Sequence, residues 1–568
     1  MKQGFNRLSM LSVLFFAFTL ILIGRLYFLQ IVYGQDFSDR ADRQYVHPTE
    51  TLFDRGTIFF KYKDGLLLSA AMLKTGFTVA ITPKLIEDPE ATYTALSSLF
   101  PLDQEDFFAR VAKKDDPYEK IAGRIEESVG NQIEALKLPG VILTRERWRF
   151  YPSGSLGAHL LGLVGYKEDT LAGRYGLERY YDEVLGRAGG NLYVNFFAEI
   201  FGNIKEKIID HKESEGDIIA TIEPAVQGFL EGQLEEINET WFPEHIGGII
   251  INPENGEIYA MASLPTFDPN SFGLEKGISV FSNPLVENVY EMGSIVKALT
   301  MAAGLDSQAV TPDTFYEDRG SVVIEGATIS NYDGKAHGWV DMHEVLNESL
   351  NTGAVFVVSQ MGNKTFADYM KKFKVDEETG VDLPNETYGL VENLNSPRDI
   401  EYATASFGQG IAFTPIATVR AISALGNGGY LIDPHIVKKI NYRSGLSKTI
   451  HIDKGKQILK KETSEEITRM LVKVVDEALL EGTVALPHYS IAAKTGTAQV
   501  AKEEGGGYYK NVYLHSFFGY FPAYNPQFLV FFYLMYPKEV RYASQTLTHP
   551  FIDTAKFLIN YYEVPPDR

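Results

Sequence analysis

Three short groups of residues carry the chemistry open to this chain. Ser294 and Lys297 form an S-x-x-K pair, Ser349 and Asn351 an S-x-N pair, and Lys494-Thr495-Gly496-Thr497 a K-T-G-T run. Taken together and in this order, they describe acyl transfer by a serine, with a lysine in place of a histidine base. A serine hydroxyl is a poor nucleophile until a neighbouring base removes its proton. Lysine serves as that base only as a neutral amine. From a reference pKa of about 10.4, about 0.04% of free lysine is neutral at pH 7, a penalty of about 4.6 kcal/mol. Burial and a second cation both favour the neutral form. Lys297 and Lys494 facing one serine would meet both conditions.

The flanking residues predict how each group is held. Gly293 precedes Ser294, and Ala298, Leu299, Met301, Ala302 and Ala303 favour a helix after it. Ser294 then sits at a helix N-terminus, where free N–H groups and the positive dipole end suit an oxyanion. Lys297, three residues on, shares its face. Ser349 and Asn351 fall at the end of a predicted helix over 342–350. The Ser349 hydroxyl would pass a proton between Lys297 and a leaving amine, and the Asn351 amide would hold substrate backbone and Lys297. Lys494 and the Thr495 and Thr497 hydroxyls, on a strand that Gly496 opens to close approach, suit a substrate carboxylate. The Thr497 N–H is a second oxyanion donor candidate. Singly, each group has an ordinary reading: a capping serine with a surface lysine, or a turn. Lys74-Thr75-Gly76 repeats the third group's letters outside this order, and reads as structural.

Composition limits the alternatives. The 568 residues carry a net charge of −21, 45% hydrophobic and 22% charged residues, which is a multidomain globular chain. The acidic balance argues against nucleic-acid binding. There are no cysteines, hence no disulfides or thiolate sites, and no paired-histidine spacing for a metal. No cofactor is expected. Lys2 and Arg7 precede an uncharged apolar run over 8–23, extended past Gly24 and Arg25. That length spans a bilayer, and no small-residue cleavage site follows, so residues 1–33 are expected to be an uncleaved anchor with the N-terminus cytoplasmic.

Residues 34–215 read as a β-rich module, with a strand over 77–81 and helices over 90–100 and 129–136. Residues 216–568 read as an α+β domain. Pro224 opens a helix bearing Val226, Phe229, Leu230, Leu234 and Ile237 at helical spacing. A hairpin over 248–261 turns at 252–256. A helix over 465–481 carries a capping box of Thr463 and Glu466 and stops at Gly482; another starts at Thr414-Pro415. Strands follow over 489–500, 515–521 and 527–536, then a helix over 550–561. If the strands join, they make one mainly antiparallel sheet with outer helices from both chain ends.

The S-x-x-K, S-D-N and K-T-G set belongs to class A β-lactamases and penicillin-binding proteins. More of the chain resembles a class B penicillin-binding protein, a membrane-anchored peptidoglycan transpeptidase. The similarity lies in the membrane-exit segment from Arg25 to Gln30, in Arg55-Gly-Thr-Ile58 with Asp64-Gly65, and in Tyr151-Pro-Ser-Gly154 with Ala158-His159. It continues through Gly176-Leu-Glu178 with Tyr181-Asp182, Phe407-Gly-Gln-Gly410 with Thr414-Pro415, and the long gap from Asn351 to Lys494. Met292 departs from the family's usual Pro, a loop change expected to be tolerated. Asn351, in place of Asp, is more like the division than the elongation branch.

The resemblance implies a β-rich pedestal and a penicillin-binding, β-lactamase-like α/β sandwich with a five-stranded sheet and an all-helical subdomain. It implies Ser294 as the acylated nucleophile, Lys297 as base, Ser349 and Asn351 as the second motif, and Lys494, Thr495, Gly496 and Thr497 on the carboxylate side. Stem peptides of lipid II-derived glycan, β-lactams and a SEDS-family polymerase are the implied partners. A hydrolase (carboxypeptidase or β-lactamase, with Glu344 a base of unknown placement) and a non-enzymatic anchored scaffold or β-lactam sensor are the rival readings.

Overall fold

The computed structural model describes residues 53–167, 170–187, 215–450, 455–502 and 507–568. The expected anchor over 1–33 lies outside them. Among the described residues no helix is long and apolar enough to cross a membrane.

In chain order the first strands are β1 (Ile58–Lys61), β2 (Leu67–Ile81), β3 (Glu119–Glu126), β4 (Val141–Phe150), the small hairpin β5 (Val164–Lys167) and β6 (Thr170–Gly173), and β7 (Gly216–Ala220). Then come β8 (His245–Ile251), β9 (Ile258–Leu264), the short β10 (Tyr316–Asp318), β11 (Ser321–Ile324), β12 (Ala327–Ser330) and β13 (Gly338–Val340), and β14 (Val437–Tyr442) with β15 (Ser447–Thr449). The last three are β16 (Ala492–Ala501), β17 (Tyr508–Phe521) and β18 (Phe528–Met535).

The central sheet is five-stranded and antiparallel throughout, in the order β16-β17-β18-β8-β9. Its middle strand reads FLVFFYLM because both faces are covered. Val530, Phe532 and Leu534 join the helices Pro224–Trp241 and Thr548–Tyr562 on one face. Leu529, Phe531 and Tyr533 join the core of the helix Val296–Asp306 on the other. This is the period-two alternation of a strand buried on both sides. The outer helices do come from both ends of the domain: Phe229 and Phe557 stack with ring centroids 4.0 Å apart.

A second, seven-stranded sheet runs β15-β14-β7-β1-β2-β3, with β4 also on β2. It joins strands from early and late in the chain; β14 pairs with β7, which lies parallel to β1. Beneath it sit several residues that carry the family resemblance. Glu178, fully buried, accepts from Arg55 Nε and Arg149 Nε at 2.5 Å each, and from the Tyr151 hydroxyl at 3.4 Å. Arg55 also reaches Asp182 at 2.7 Å. Removing one member of such a set leaves a buried charge uncompensated, at a cost of about 3–5 kcal/mol.

Several expectations need correcting. The helix expected over 465–481 begins at Lys461, and the capping box does not form: Thr463 is buried inside the helix and donates to Asp306 Oδ1 at 2.8 Å. Asp306, at the end of the helix Val296–Asp306, also accepts the Lys460 N–H at 2.7 Å, so a neighbouring helix caps this one. Its last turns widen into a π-turn over Val474–Ala478 before the winding stops at Gly482. The helix expected over 342–350 ends at Asn347, and a second helix that was not expected, Asn351–Met361, follows. Ser349, at φ +52°, breaks the first, and the Leu350 N–H returns to Val345 O at 2.9 Å. The helical subdomain is not all helical: β10 pairs with β13 and β11 with β12. The Asp318 carboxylate at their centre accepts from Thr352 Oγ1, Asn331 Nδ2 and the N–H groups of Gly320 and His337. β17 starts seven residues before the predicted 515, because the hydrophobic pattern marks only its buried half.

Candidate active site

Close backbone contact fixes the position of Ser294. Gly293 sits at φ +63°, and a Cβ there would come within 2.9 Å of the Thr497 carbonyl. The Gly293 N–H donates to Gly408 O at 3.1 Å, and Ser516 Oγ donates to Met292 O at 2.7 Å. A Cβ on Gly496 would fall 2.7 Å from Met292 O. The turn before Ser294 is therefore clamped onto β16, and only glycine permits the approach from either side. Met292, the departure from the family's proline, is fully buried in the main core. After one 3-10 turn, Gly293–Ile295, the chain enters the helix Val296–Asp306, whose burial on nearly all faces makes it a core helix. Ser294 thus lies just before that helix, half-buried and lining a cleft of about 740 Å³. Among the described residues none hydrogen-bonds its hydroxyl.

Lys297 is 1% exposed, and its Nζ donates to Ser349 O and, at 3.2 Å, to Ser349 Oγ. Burial, and secondly the charge of Lys494, push its pKa well below the lysine range. The left-handed backbone of Ser349 turns both its oxygens to Lys297. A non-glycine residue there stores about 1 kcal/mol of strain, a mark common at functional sites. Lys494 is 2% exposed, with one hydrogen bond, to Thr495 O at 3.4 Å. Burial lowers its pKa to about 8, while the Glu348 carboxylate pulls the other way. The two amines thus share one buried corner, and the neutral form is favoured more strongly at Lys297.

Ser294, Ser349, Asn351, Lys494, Thr495 and Thr497 all line the one cleft. Gly496 lies buried behind it as the contact point for the turn that carries Ser294. β16 is the edge strand of its sheet, so one backbone edge has no strand partner among the described residues. Thr497 Oγ1 accepts from the Ala543 N–H at 3.1 Å, leaving its own proton to donate. Asn351 departs from expectation: its amide donates to Ser330 O at 2.8 Å, and Lys297 is not among its partners. It braces β12, one wall of the cleft. Glu344 does not line the cleft; its carboxylate accepts from Asn347 Nδ2 at 3.3 Å.

Sequence reading missed Glu348, Tyr332, Tyr513, Arg541 and Tyr542, which also line the cleft. They lie on irregular turns or strand edges with no periodic signal. Gln409, also on the wall, was visible only within the 407–410 resemblance. Lys74-Thr75-Gly76 lies far along the chain on β2, where Lys74 pairs with Glu126 at 2.6 Å.

The chain is similar to known proteins. Residues 246–555 match the penicillin binding protein transpeptidase domain, and residues 54–221 the penicillin-binding protein dimerisation domain. Stage V sporulation protein D of Bacillus subtilis is 33% identical over 96% of this chain and 84% of its own. Peptidoglycan D,D-transpeptidase FtsI of Buchnera aphidicola is 25% identical over 99% and 96%. The crystal structure of penicillin binding protein 2X from Streptococcus thermophilus superposes with a TM-score of 0.72, at 20% identity, over 90% of this chain and 81% of that one, a likeness of fold. With both domain models matched in order along one chain, this protein belongs to the penicillin-binding protein family, in its class B arrangement of a dimerisation module followed by a transpeptidase domain.

Proposed function

We propose that the chain is a serine D,D-transpeptidase that cross-links peptidoglycan stem peptides. The observation that carries this reading is the corner itself. A buried lysine with its proton destabilised sits one helical turn from a serine that opens onto a cleft, and a second buried lysine lines the same cleft. Ser294 Oγ attacks the carbonyl of the penultimate D-alanine while Lys297 takes its proton. The N–H groups of Ser294 and Thr497 hold the oxyanion. The C–N bond breaks, and D-alanine leaves as an amine after a proton passes to it through Ser349. The amino group of a neighbouring stem then attacks the ester and gives up a proton to the Lys297–Ser349 pair, and Ser294 departs as the hydroxyl. Lys494, with Thr495 and Thr497, holds the terminal carboxylate.

A β-lactam fits the same site as a donor mimic and is held as a stable ester. Labelled penicillin tests the assignment: the wild type forms one covalent adduct and Ser294→Ala forms none. An adduct that persists in the variant removes Ser294 from the mechanism, and rapid release of the wild-type adduct would favour the hydrolase.

We assign residues 1–33 to a cell-membrane anchor, 34–215 to a pedestal that meets partner proteins, and 216–568 to an extracytoplasmic transpeptidase domain. The apolar run over 8–23 and the matched spans support this division. A SEDS-family polymerase, the partner that the class B resemblance implies, supplies the glycan. Asn351 and the relative named FtsI support a role in division. Reconstitution with each candidate polymerase on lipid II, read as cross-linked dimers, separates division from elongation and enzyme from scaffold.

A further inference from the structure

The residues that line the cleft include two cations, Lys494 and Arg541, and a single carboxylate, Glu348. Glu348 directly precedes Ser349, in the turn between the helices Met342–Asn347 and Asn351–Met361. Its carboxylate makes no hydrogen bond or ion pair among the described residues, so its charge is spent on the cleft. It acts unequally on the two buried lysines. Its field raises the proton affinity of Lys494, whereas Lys297 feels burial and the Lys494 charge. Two ammonium groups in one buried corner repel each other, and the proton stays on Lys494, which lines the cleft together with Glu348 where Lys297 does not. The mechanism needs this asymmetry, because Lys494 binds a carboxylate only as a cation and Lys297 accepts a proton only as an amine.

We propose that Glu348 is a positioning residue that settles which lysine carries the proton, keeping Lys494 charged for the substrate carboxylate and leaving Lys297 free as the base. The other titratable groups around the cleft are Tyr332 and Asp333 from the β12–β13 loop, Tyr513 on β17, and Arg541 and Tyr542 after β18. Burial, with Glu348, Asp333 and Tyr542 adding to it, holds Tyr332 neutral. The Arg541 guanidinium reaches out to Tyr332 O at 3.5 Å. The Asp333 carboxylate accepts the Lys335 N–H and faces His337 Nε2 at 3.5 Å, so Glu348 is the carboxylate whose charge acts on Lys494.

The proposal rests on Ser294 as the acylated serine, and its test keeps the two separable. The second-order rate of Ser294 acylation by benzylpenicillin is measured from pH 5 to 10 in the full chain, for wild type, Glu348→Gln and Glu348→Asp. Expected for Glu348→Gln is a shift of the alkaline limb to lower pH by about one unit, which slows the reaction about tenfold above that limb. Glu348→Asp returns the limb to within a few tenths of a unit. An alkaline limb that does not move, or a rate lowered equally at every pH together with a lower Tm, overturns the proposal and leaves Ser294 in place. Absence of any Ser294 adduct in the wild type instead overturns the underlying assignment.

Discussion

The chain spells Lys-Thr-Gly twice, on β2 and on β16, and puts the two copies to different uses. Both lie on strands, and both glycines admit another backbone: a Cβ on Gly76 would fall 2.0 Å from Ile125 O, and one on Gly496 2.7 Å from Met292 O. The difference lies in the lysines. Lys74 is about one-third exposed and paired with Glu126 at 2.6 Å, an ordinary surface ion pair. Lys494 is 2% exposed, with no carboxylate in ion-pair contact and a lowered pKa. Burial without a carboxylate partner is what separates the cleft lysine from a structural repeat of the same letters, since an ion-paired lysine has no reason to surrender or lend its proton.

Substitutions sharpen the contrast, from large effects to small. Lys297→Met removes the base, and the acylation rate constant for a penicillin should fall about 10²–10⁴-fold. A fall under tenfold would show that another group takes the serine's proton. Lys494→Met loses the cation facing the substrate carboxylate. Acylation by carboxylate-bearing β-lactams should drop about 10²-fold, and by an analogue whose carboxylate is esterified much less, because a charge-assisted bond is lost only in the first case. Equal losses on both compounds would reduce Lys494 to a packing role. Lys74→Met should leave acylation within about twofold and cost about 0–1 kcal/mol in urea unfolding. A large kinetic effect there would break the comparison outright.

Much of the domain was legible because its signals are local. Pro224 and the spacing from Val226 to Ile237 gave a helix, and the apolar runs of β17 and β18 gave strands of the sheet. The three site motifs carried their own spacing, and the structure brings them to one cleft. What escaped was decided by distant contacts. Asp306 caps a helix that Thr463 was expected to cap, although the two are far apart in sequence. Ser349 takes a left-handed backbone that its neighbours do not announce, so the predicted helix stops three residues early, at Asn347. Asn351 was expected at Lys297 and instead braces Ser330, a partner set by the β11–β12 hairpin. Glu348 had no pattern around it, and its significance appears only once Lys494 is seen across the cleft.

The central claim is that Lys297 is an uncharged amine at neutral pH while Lys494 stays charged, and the pH dependence of Ser294 acylation in the wild type tests it most directly. Rates should already be on a plateau near pH 7, fall toward acid as Lys297 takes up a proton, and fall toward alkali with an apparent pKa near 8 as Lys494 loses one. The limbs belong to the coupled pair. A rate that keeps climbing to about pH 10, as an ordinary lysine base would require, would contradict the account.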